Sequence, residues 1–402
     1  MEWYLDKTSR IPFPIYSSYD IRDAGFKVAN VDANIFPAGF NNICSADKEY
    51  AVEVLASYIN KHYGSGIQRI MLVTEEHTNN PYYWENVNAI RSMLEDSGRK
   101  VLIALPRDSK QTIKVQSVSG VEFEVGSAYN DAPAVKAFRP QLIISNNDFS
   151  ESYDEWAVQV REPMNPPREL GWYQRKKSLY FEYYNKMVRE FAELGGLDPF
   201  QLSVRTEKFE GFDLEKDETV KVLAFRVDKF IKELQDEYKS RGIDHRPNVF
   251  IKNNSGTYGL AVIQVGSGED VLQWNYKSRK KMKAAKGGKE IEDVILQEGI
   301  LSRVQADGAV AEPVIYMVGN QPIGGFLRSH PEKSNIDSLN SPGAVYKRIC
   351  VSDLNVALEG SPLANVYAWS SRLGLLAIGL EAQAMNVEFK GFRTGGEEPL
   401  RV

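Results

Sequence analysis

The sequence predicts an α/β protein that turns α+β towards its C-terminus, on three observations. Between residues 67 and 145, apolar β-type runs alternate with helical periods, the order that builds a parallel sheet with crossover helices. From residue 249 onward, β-type runs come in close pairs joined by polar, glycine-bearing turns, which is the pattern of antiparallel hairpins. Between the two halves, Glu162–Leu170 (EPMNPPREL) is too proline-rich for regular helix or central strand and reads as a linker.

With 402 residues, of which 43% are hydrophobic, the chain can bury a full core and divide into two or three domains. A net charge of −5 argues against a nucleic-acid binder that relies on bulk positive charge. No apolar run approaches the roughly 20 residues of a spanning helix, and MEWYLDKTSR has no signal-peptide core. Cys44 and Cys350 supply neither a disulfide framework nor a metal cluster, and Cys44 reads as a small buried apolar residue. These features lead to an expectation of a cytoplasmic protein with small-molecule ligands, no nucleic-acid or membrane partner, and room for a homo-oligomer.

In chain order, Val31–Cys44 (VDANIFPAGFNNIC) sets Asp32, Asn34, Asn41 and Asn42 around apolar residues, with Pro37 and Gly39 forcing a turn. Two readings stand: short polar side chains that hold the ammonium and carboxylate of an amino acid, or Asx-turns leading into the helix that follows. A helix over 47–60, a strand over 67–74, a helix over 83–97, a strand over 100–105, a helix over 133–138 and a strand over 141–145 complete an N-terminal unit of residues 1–150. Residues 151–200 form linker and helix. Within them Arg175, Lys176 and Lys177 open an amphipathic helix at the end its dipole makes unfavourable for cations, so anionic partners are expected.

The stretch VFIKNNSGTYGLAVIQV, Val249–Val265, is two β-type runs around a polar loop, with Lys252 at the loop mouth. Gly256 and Gly259 let backbone N–H groups face an anion, and Lys252 adds a point charge that reaches a phosphate oxygen. The spacing is neither a Walker A loop nor a dinucleotide fingerprint. Lys277–Glu290 carries a run of lysines and arginines, read as a solvated loop ahead of phosphate steering or an RNA contact. Asp293–Ile300 is a strand ending in Gln297 and Glu298, Ala311–His330 a hairpin with Arg328 near its end, and Asn335–Tyr346 a polar loop containing Asn340. A helix over 364–385 contains Glu381.

That ordered set resembles prokaryotic glutathione synthetases and D-alanine:D-alanine ligases over Lys176 to Glu388. Over the full length, with VDANIFPAGFNNIC and FIKNNSGTYGLAV, the chain resembles the proteobacterial glutamate–cysteine ligase family of the Acidithiobacillus type. The resemblance implies a parallel-sheet pre-ATP-grasp domain followed by an ATP-grasp fold, with a small subdomain over 201–296 and a catalytic subdomain over 297–402. It implies ATP and Mg²⁺ as cofactors and γ-glutamylcysteine synthesis through an acylphosphate, the first step towards glutathione. Another amino acid and amine pair, or a non-catalytic ATP sensor, is the alternative. Carried over residue by residue, Lys177, Lys252, Ser255, Gly256 and Gly259 match the phosphate site, and Gln297 and Glu298 the adenine and ribose end. Arg328, with Lys252, matches the groups that stabilise the transferred phosphoryl, and Asn340 the acceptor loop. Glu381, Glu388 and Glu312 are offered as metal carboxylates, with Asp337 competing, because the E-x-N triplet usual near the C-terminus is replaced by LEAQAMNVEF.

Overall fold

The computed structural model of the chain describes residues 1–77, 80–256, 261–283 and 291–395. Its first half contains α1 (Glu2–Arg10), β1 (Tyr16–Asp23), β2 (Val28–Asn34), α2 (Lys48–His62), β3 (Arg69–Thr74), α3 (Pro81–Asp96), β4 (Lys100–Leu105), β5 (Ile113–Gln116), β6 (Glu122–Ser127), α4 (Pro133–Phe138), β7 (Leu142–Asn146), α5 (Asp154–Ala157) and β8 (Met164–Asn165). The second half contains α6 (Lys177–Gly195), β9 (Thr206–Phe209), α7 (Asp217–Ser240), β10 (Asn248–Asn253), β11 (Val262–Val265), α8 (Gly268–Leu272), α9 (Tyr276–Met282), β12 (Val294–Gly299), β13 (Gln305–Ala306), β14 (Ala309–Val318), β15 (Gln321–Ser329), β16 (Val345–Ile349) and α10 (Val366–Ala384).

The alternating apolar runs do form a sheet, ordered β5-β6-β4-β3-β7-β8 and parallel except where β5 meets β6. Its central strands are buried on both faces. In β3, Ile70 and Leu72 join one core while Met71 and Val73 join another, as side chains on a pleated strand must.

The expected unit of residues 1–150 does not hold together in the hydrogen bonding. β1 and β2 lie in a second, antiparallel sheet ordered β16-β15-β14-β1-β2, with β13 beside β14. The chain starts in this central sheet, leaves it to build the parallel one, and returns. YSSYDIRD looks too polar for a central strand, yet every residue of β1 is buried, because its charged side chains meet opposite charges from neighbouring elements. The expected boundary at 296 also falls inside β12.

A third sheet, β11-β10-β12-β9, is wholly antiparallel. Its inner face buries Val249, Ile251, Val294 and Leu296 against Leu223, Val227, Phe230 and Leu234 of α7. The helix α10 is buried on nearly all sides, against α6 and the central sheet. Gly374 permits this, since a Cβ there would fall 2.4 Å from the Tyr19 ring. Cys44 and Cys350, expected to be unpaired, are joined by a disulfide across 306 residues of sequence. It ties the turn before α2 to the end of β16, a proximity that only the central sheet creates. Among the described residues, no helix is long and apolar enough to cross a membrane.

Candidate active site

The small sheet and the central sheet face each other across an open cleft. β10 and β12 supply one wall, β1, β2 and β14 the other, and Lys177, Ser338 and Asn340 border it.

The central-sheet wall is a belt of alternating charge. Asp20 of β1 lies directly opposite Asp32 of β2, and Glu312 of β14 directly opposite Arg328 of β15. Two carboxylates at facing strand positions repel, so the arrangement persists only with cations around it. Arg328 Nη1 donates to Asp20 Oδ2 and to Glu312 Oε1, each at 2.8 Å. Arg22 Nε meets Glu312 Oε2 at 2.6 Å, and its Nη2 donates to the Asp337 carbonyl at 2.6 Å, which holds the loop carrying Ser338 and Asn340. Lys177 Nζ lies 2.5 Å from Asp32 Oδ1.

The belt is left incomplete at Asp20. Its Oδ1 is buried and has no hydrogen-bond partner among the described residues. Burial raises the pKa of Asp20, with Glu312 and Asp32 adding to the effect and Arg328 opposing it. Burial alone would raise Asp32 too, but Lys177, Lys252 and Arg175 outweigh it and its pKa is lowered. Arg328 is pushed above its ordinary value, since Asp20 and Glu312 outweigh burial.

On the opposite wall, register explains the lysine. Lys252 pairs with Ile295, which puts Gln297 two residues along on the same face. Lys252 Nζ donates to Gln297 Oε1 at 2.6 Å and to the Val31 carbonyl at 3.0 Å. Both acceptors are neutral, and burial pulls the Lys252 pKa from 10.5 down to about 8, with Lys177 also lowering it and Asp32 raising it. The lysine is a buried cation short of an anion.

The loop after β10 is latched to α6. Asn254 accepts the first helical N–H groups, from Lys177 through its carbonyl at 2.7 Å and from Ser178 through its Oδ1 at 2.9 Å. The Ser255 hydroxyl donates to the Arg175 carbonyl at 3.0 Å, so Ser255 braces the loop. Gly256 borders the cleft, and Gly259 lies outside the described residues.

Several expected roles change. Glu298, placed by sequence at the ribose end, has its carboxylate on the α7 face of the small sheet. There it accepts from Lys27 Nζ at 2.7 and 2.8 Å, Tyr238 hydroxyl at 2.8 Å and Arg205 N–H at 3.1 Å. Its side chain is saturated, and alternation along β12 aims Gln297 at the cleft instead. Glu381, expected as a metal carboxylate, is fully buried in α10 and accepts a forked pair from Arg175 at 2.9 to 3.1 Å. Glu388 is exposed beyond the end of α10. Both Ser334 donors engage the Asp337 carboxylate. Only Glu312 of the expected metal set borders the cleft. Asn34, Asn41 and Asn42 do not line it, and Asn41 and Asn42 sit in a one-turn 3-10 segment whose entry is pinned by Asn86 Oδ1. Asp32, Lys177, Lys252, Gly256, Gln297, Glu298 and Asn340 are brought together around the cleft, whereas Arg328 does not line it and is connected to it through Asp20 and Glu312.

Sequence reasoning missed Asp20 and Arg22, which line the cleft, and Lys27, which does not line it but pairs with Glu298. The signal for the first two was present in YSSYDIRD, where Asp20 and Arg22 recur with a strand's period of two between Tyr19, Ile21 and Asp23.

Comparison with known proteins bears on what this cleft serves. The family model for GshA, glutamate-cysteine ligase, matches residues 1–382. The chain belongs to the glutamate–cysteine ligase family. A solved structure from Methylobacillus flagellatus KT, provisionally described as a gamma-glutamylcysteine synthetase, is 30% identical with a TM-score of 0.83, covering 95% of this chain and 92% of that one. D-alanyl-alanine synthetase A from Vibrio cholerae (9% identity, TM-score 0.31, 79% of this chain and 81% of that one) and an ATP complex of carboxyaminoimidazole ribonucleotide synthase from Aspergillus clavatus (11%, 0.26, 62% and 54%) superpose too poorly to bear on the fold. No curated protein matches the chain. As a glutamate–cysteine ligase it is an ATP-dependent enzyme that forms an amide bond, in the step that opens glutathione synthesis.

Proposed function

We propose that the cleft between the small and central sheets is where this ligase binds ATP and activates glutamate, in an ATP-grasp arrangement of the Acidithiobacillus type. The observation that carries the reading is the pairing of unmet charges across one cleft: among the described residues Lys252 hydrogen-bonds only neutral acceptors, and Asp20 has an unpartnered carboxylate oxygen. Lys177 and Lys252 bind the triphosphate, Gln297 turns towards it, and the stretch from Glu298 to Ile300, whose two end residues line the cleft, borders the base. Gly299 is required there because a Cβ would fall 1.5 Å from Asn248 Oδ1.

The chemistry follows from these residues. A carboxylate is a poor electrophile, so an oxygen of the glutamate γ-carboxylate attacks the γ-phosphorus and ADP leaves. The cysteine amine then attacks the acyl carbon and expels phosphate. Transfer of a phosphoryl group needs positioning and charge neutralisation more than a protein nucleophile, and Arg328 with Lys252 supplies fixed positive charge. Asp20 fits Mg²⁺ through its unpartnered hard oxygen, whereas Glu312, held by Arg328 at one oxygen and Arg22 at the other, would have to release one of them to join it. Bound there, the ion would neutralise phosphate charge.

Purified protein with ATP and Mg²⁺ is expected to release ADP with glutamate and cysteine together and to yield a dipeptide by mass spectrometry. ADP release with no dipeptide under any pairing would remove the assignment of substrates. ATP binding without turnover would remove the chemistry.

A further inference from the structure

A triphosphate pocket is expected to offer its cations to the ligand, yet here a carboxylate already holds one of them. Asp32 Oδ1 lies 2.5 Å from Lys177 Nζ, and the side chains are 26% and 7% exposed, so the carboxylate is the partner that looks into the cleft. The Ala33 N–H donates to the same oxygen at 3.1 Å, fixing it at the end of β2. Lys252, close enough to influence Asp32 electrostatically, holds only the Val31 carbonyl and Gln297 Oε1. An arriving phosphate therefore finds one lysine bound to neutral acceptors and the other bound to an anion.

Building on the nucleotide reading above, we propose that Lys177 exchanges partners, passing from Asp32 to the nucleotide phosphates, and that the freed Asp32 carboxylate then binds the α-ammonium of glutamate. The exchange replaces one charge-assisted hydrogen bond by another, so it costs little by itself. What it leaves behind is less favourable: Asp32 without a paired cation, acted on only by Lys252 and Arg175 while it lies directly opposite Asp20 and faces a polyanion. An incoming cation relieves that repulsion. Glutamate's ammonium qualifies because it stays charged throughout, whereas the amino group of cysteine must lose its proton to attack. Nucleotide and glutamate thus assist each other's binding, by the same factor in either order.

Calorimetry with the non-hydrolysable analogue adenylyl imidodiphosphate and Mg²⁺ tests this on the wild-type protein. Glutamate is expected to bind about 5- to 100-fold more tightly with the analogue present, the usual span of such coupling. Glutarate, which lacks the ammonium, is expected to gain nothing. In Asp32→Asn the analogue is expected to bind as well as or better than in wild type, while glutamate loses both affinity and its dependence on the analogue. Lys177→Met, checked for folding by its thermal transition, is expected to weaken the analogue and abolish the coupling. Analogue binding with no gain for glutamate, or an equal gain for glutarate, would overturn the exchange alone. Loss of analogue binding in Asp32→Asn would place Asp32 in the phosphate or metal site instead. No analogue binding to the wild type would overturn the nucleotide reading and the exchange with it.

Discussion

Arg175 and Lys177 flank the start of α6, both buried and both paired with a carboxylate, yet their surroundings are opposite. Arg175 forks onto both oxygens of Glu381, donates to the Ala33 carbonyl at 2.8 Å and packs against the rings of Trp172 and Tyr180. All its charge is answered within the core. Lys177 also lies over the Trp172 ring, but its charge meets a single, partly exposed carboxylate at the rim of the cleft. The sequence places both cations against the helix dipole, and only the degree of saturation separates a brace from a binding group. The same contrast divides the acids: Glu298 has its donors, and Asp20 has an oxygen to spare.

Substitutions can sharpen or break that division. The largest effect is expected from Lys252→Ala, with kcat/KM reduced by about 10²- to 10³-fold or more. Its thermal midpoint is expected to be unchanged or higher, because a buried cation short of an anion is removed. Steady-state kinetics within tenfold of wild type would take Lys252 out of the chemistry. Asp20→Asn is expected next, lowering kcat about 10²-fold while costing less stability than the loss of Glu381, since Arg328 keeps Glu312 as its partner and the repulsion from the facing Asp32 is relieved. A destabilised protein with normal kcat would make Asp20 a brace like Glu381.

Glu381→Gln is expected to behave in reverse. Breaking one side of a buried ion pair costs about 3–5 kcal/mol, read from urea unfolding, while kcat per folded molecule changes only a few-fold. Loss of turnover in a stable protein would return Glu381 to the candidate metal ligands.

The smallest effect concerns pH. Free Lys252 titrates near pH 8 because burial depresses it, whereas bound phosphate stabilises its charged form and raises its pKa. Nucleotide affinity is therefore complete below pH 8 and falls about tenfold per pH unit above it, until the pKa of the complex is passed. Analogue titrations from pH 6.5 to 10 check this, and a flat profile would contradict it.

The parts of the molecule legible in the sequence were those written locally. The alternating runs of the parallel sheet, the Lys252 hairpin and the β14–β15 pair are each set by neighbouring residues. Non-local pairing was not legible. Nothing near Asp20 announces that β1 will return to lie between β2 and β14, and nothing near Glu381 announces Arg175. Asp32, Lys177, Lys252, Gln297 and Asn340 were readable as chemistry because their motifs are short. Asp20 was not, although Glu312 was, because the meeting of the two proposed metal carboxylates depends on strands some 290 residues apart in the chain. Glu298 shows the finer limit: its position was anticipated, but the face it occupies follows from register.

The central claim, that this cleft joins its substrates through an acylphosphate, is tested most directly with glutamate carrying ¹⁸O in its γ-carboxylate. The account predicts one ¹⁸O atom in each phosphate released as γ-glutamylcysteine forms, and loss of both products in Lys252→Ala. Dipeptide formation with unlabelled phosphate would contradict it, since the carboxylate oxygen would then never have been bonded to phosphorus.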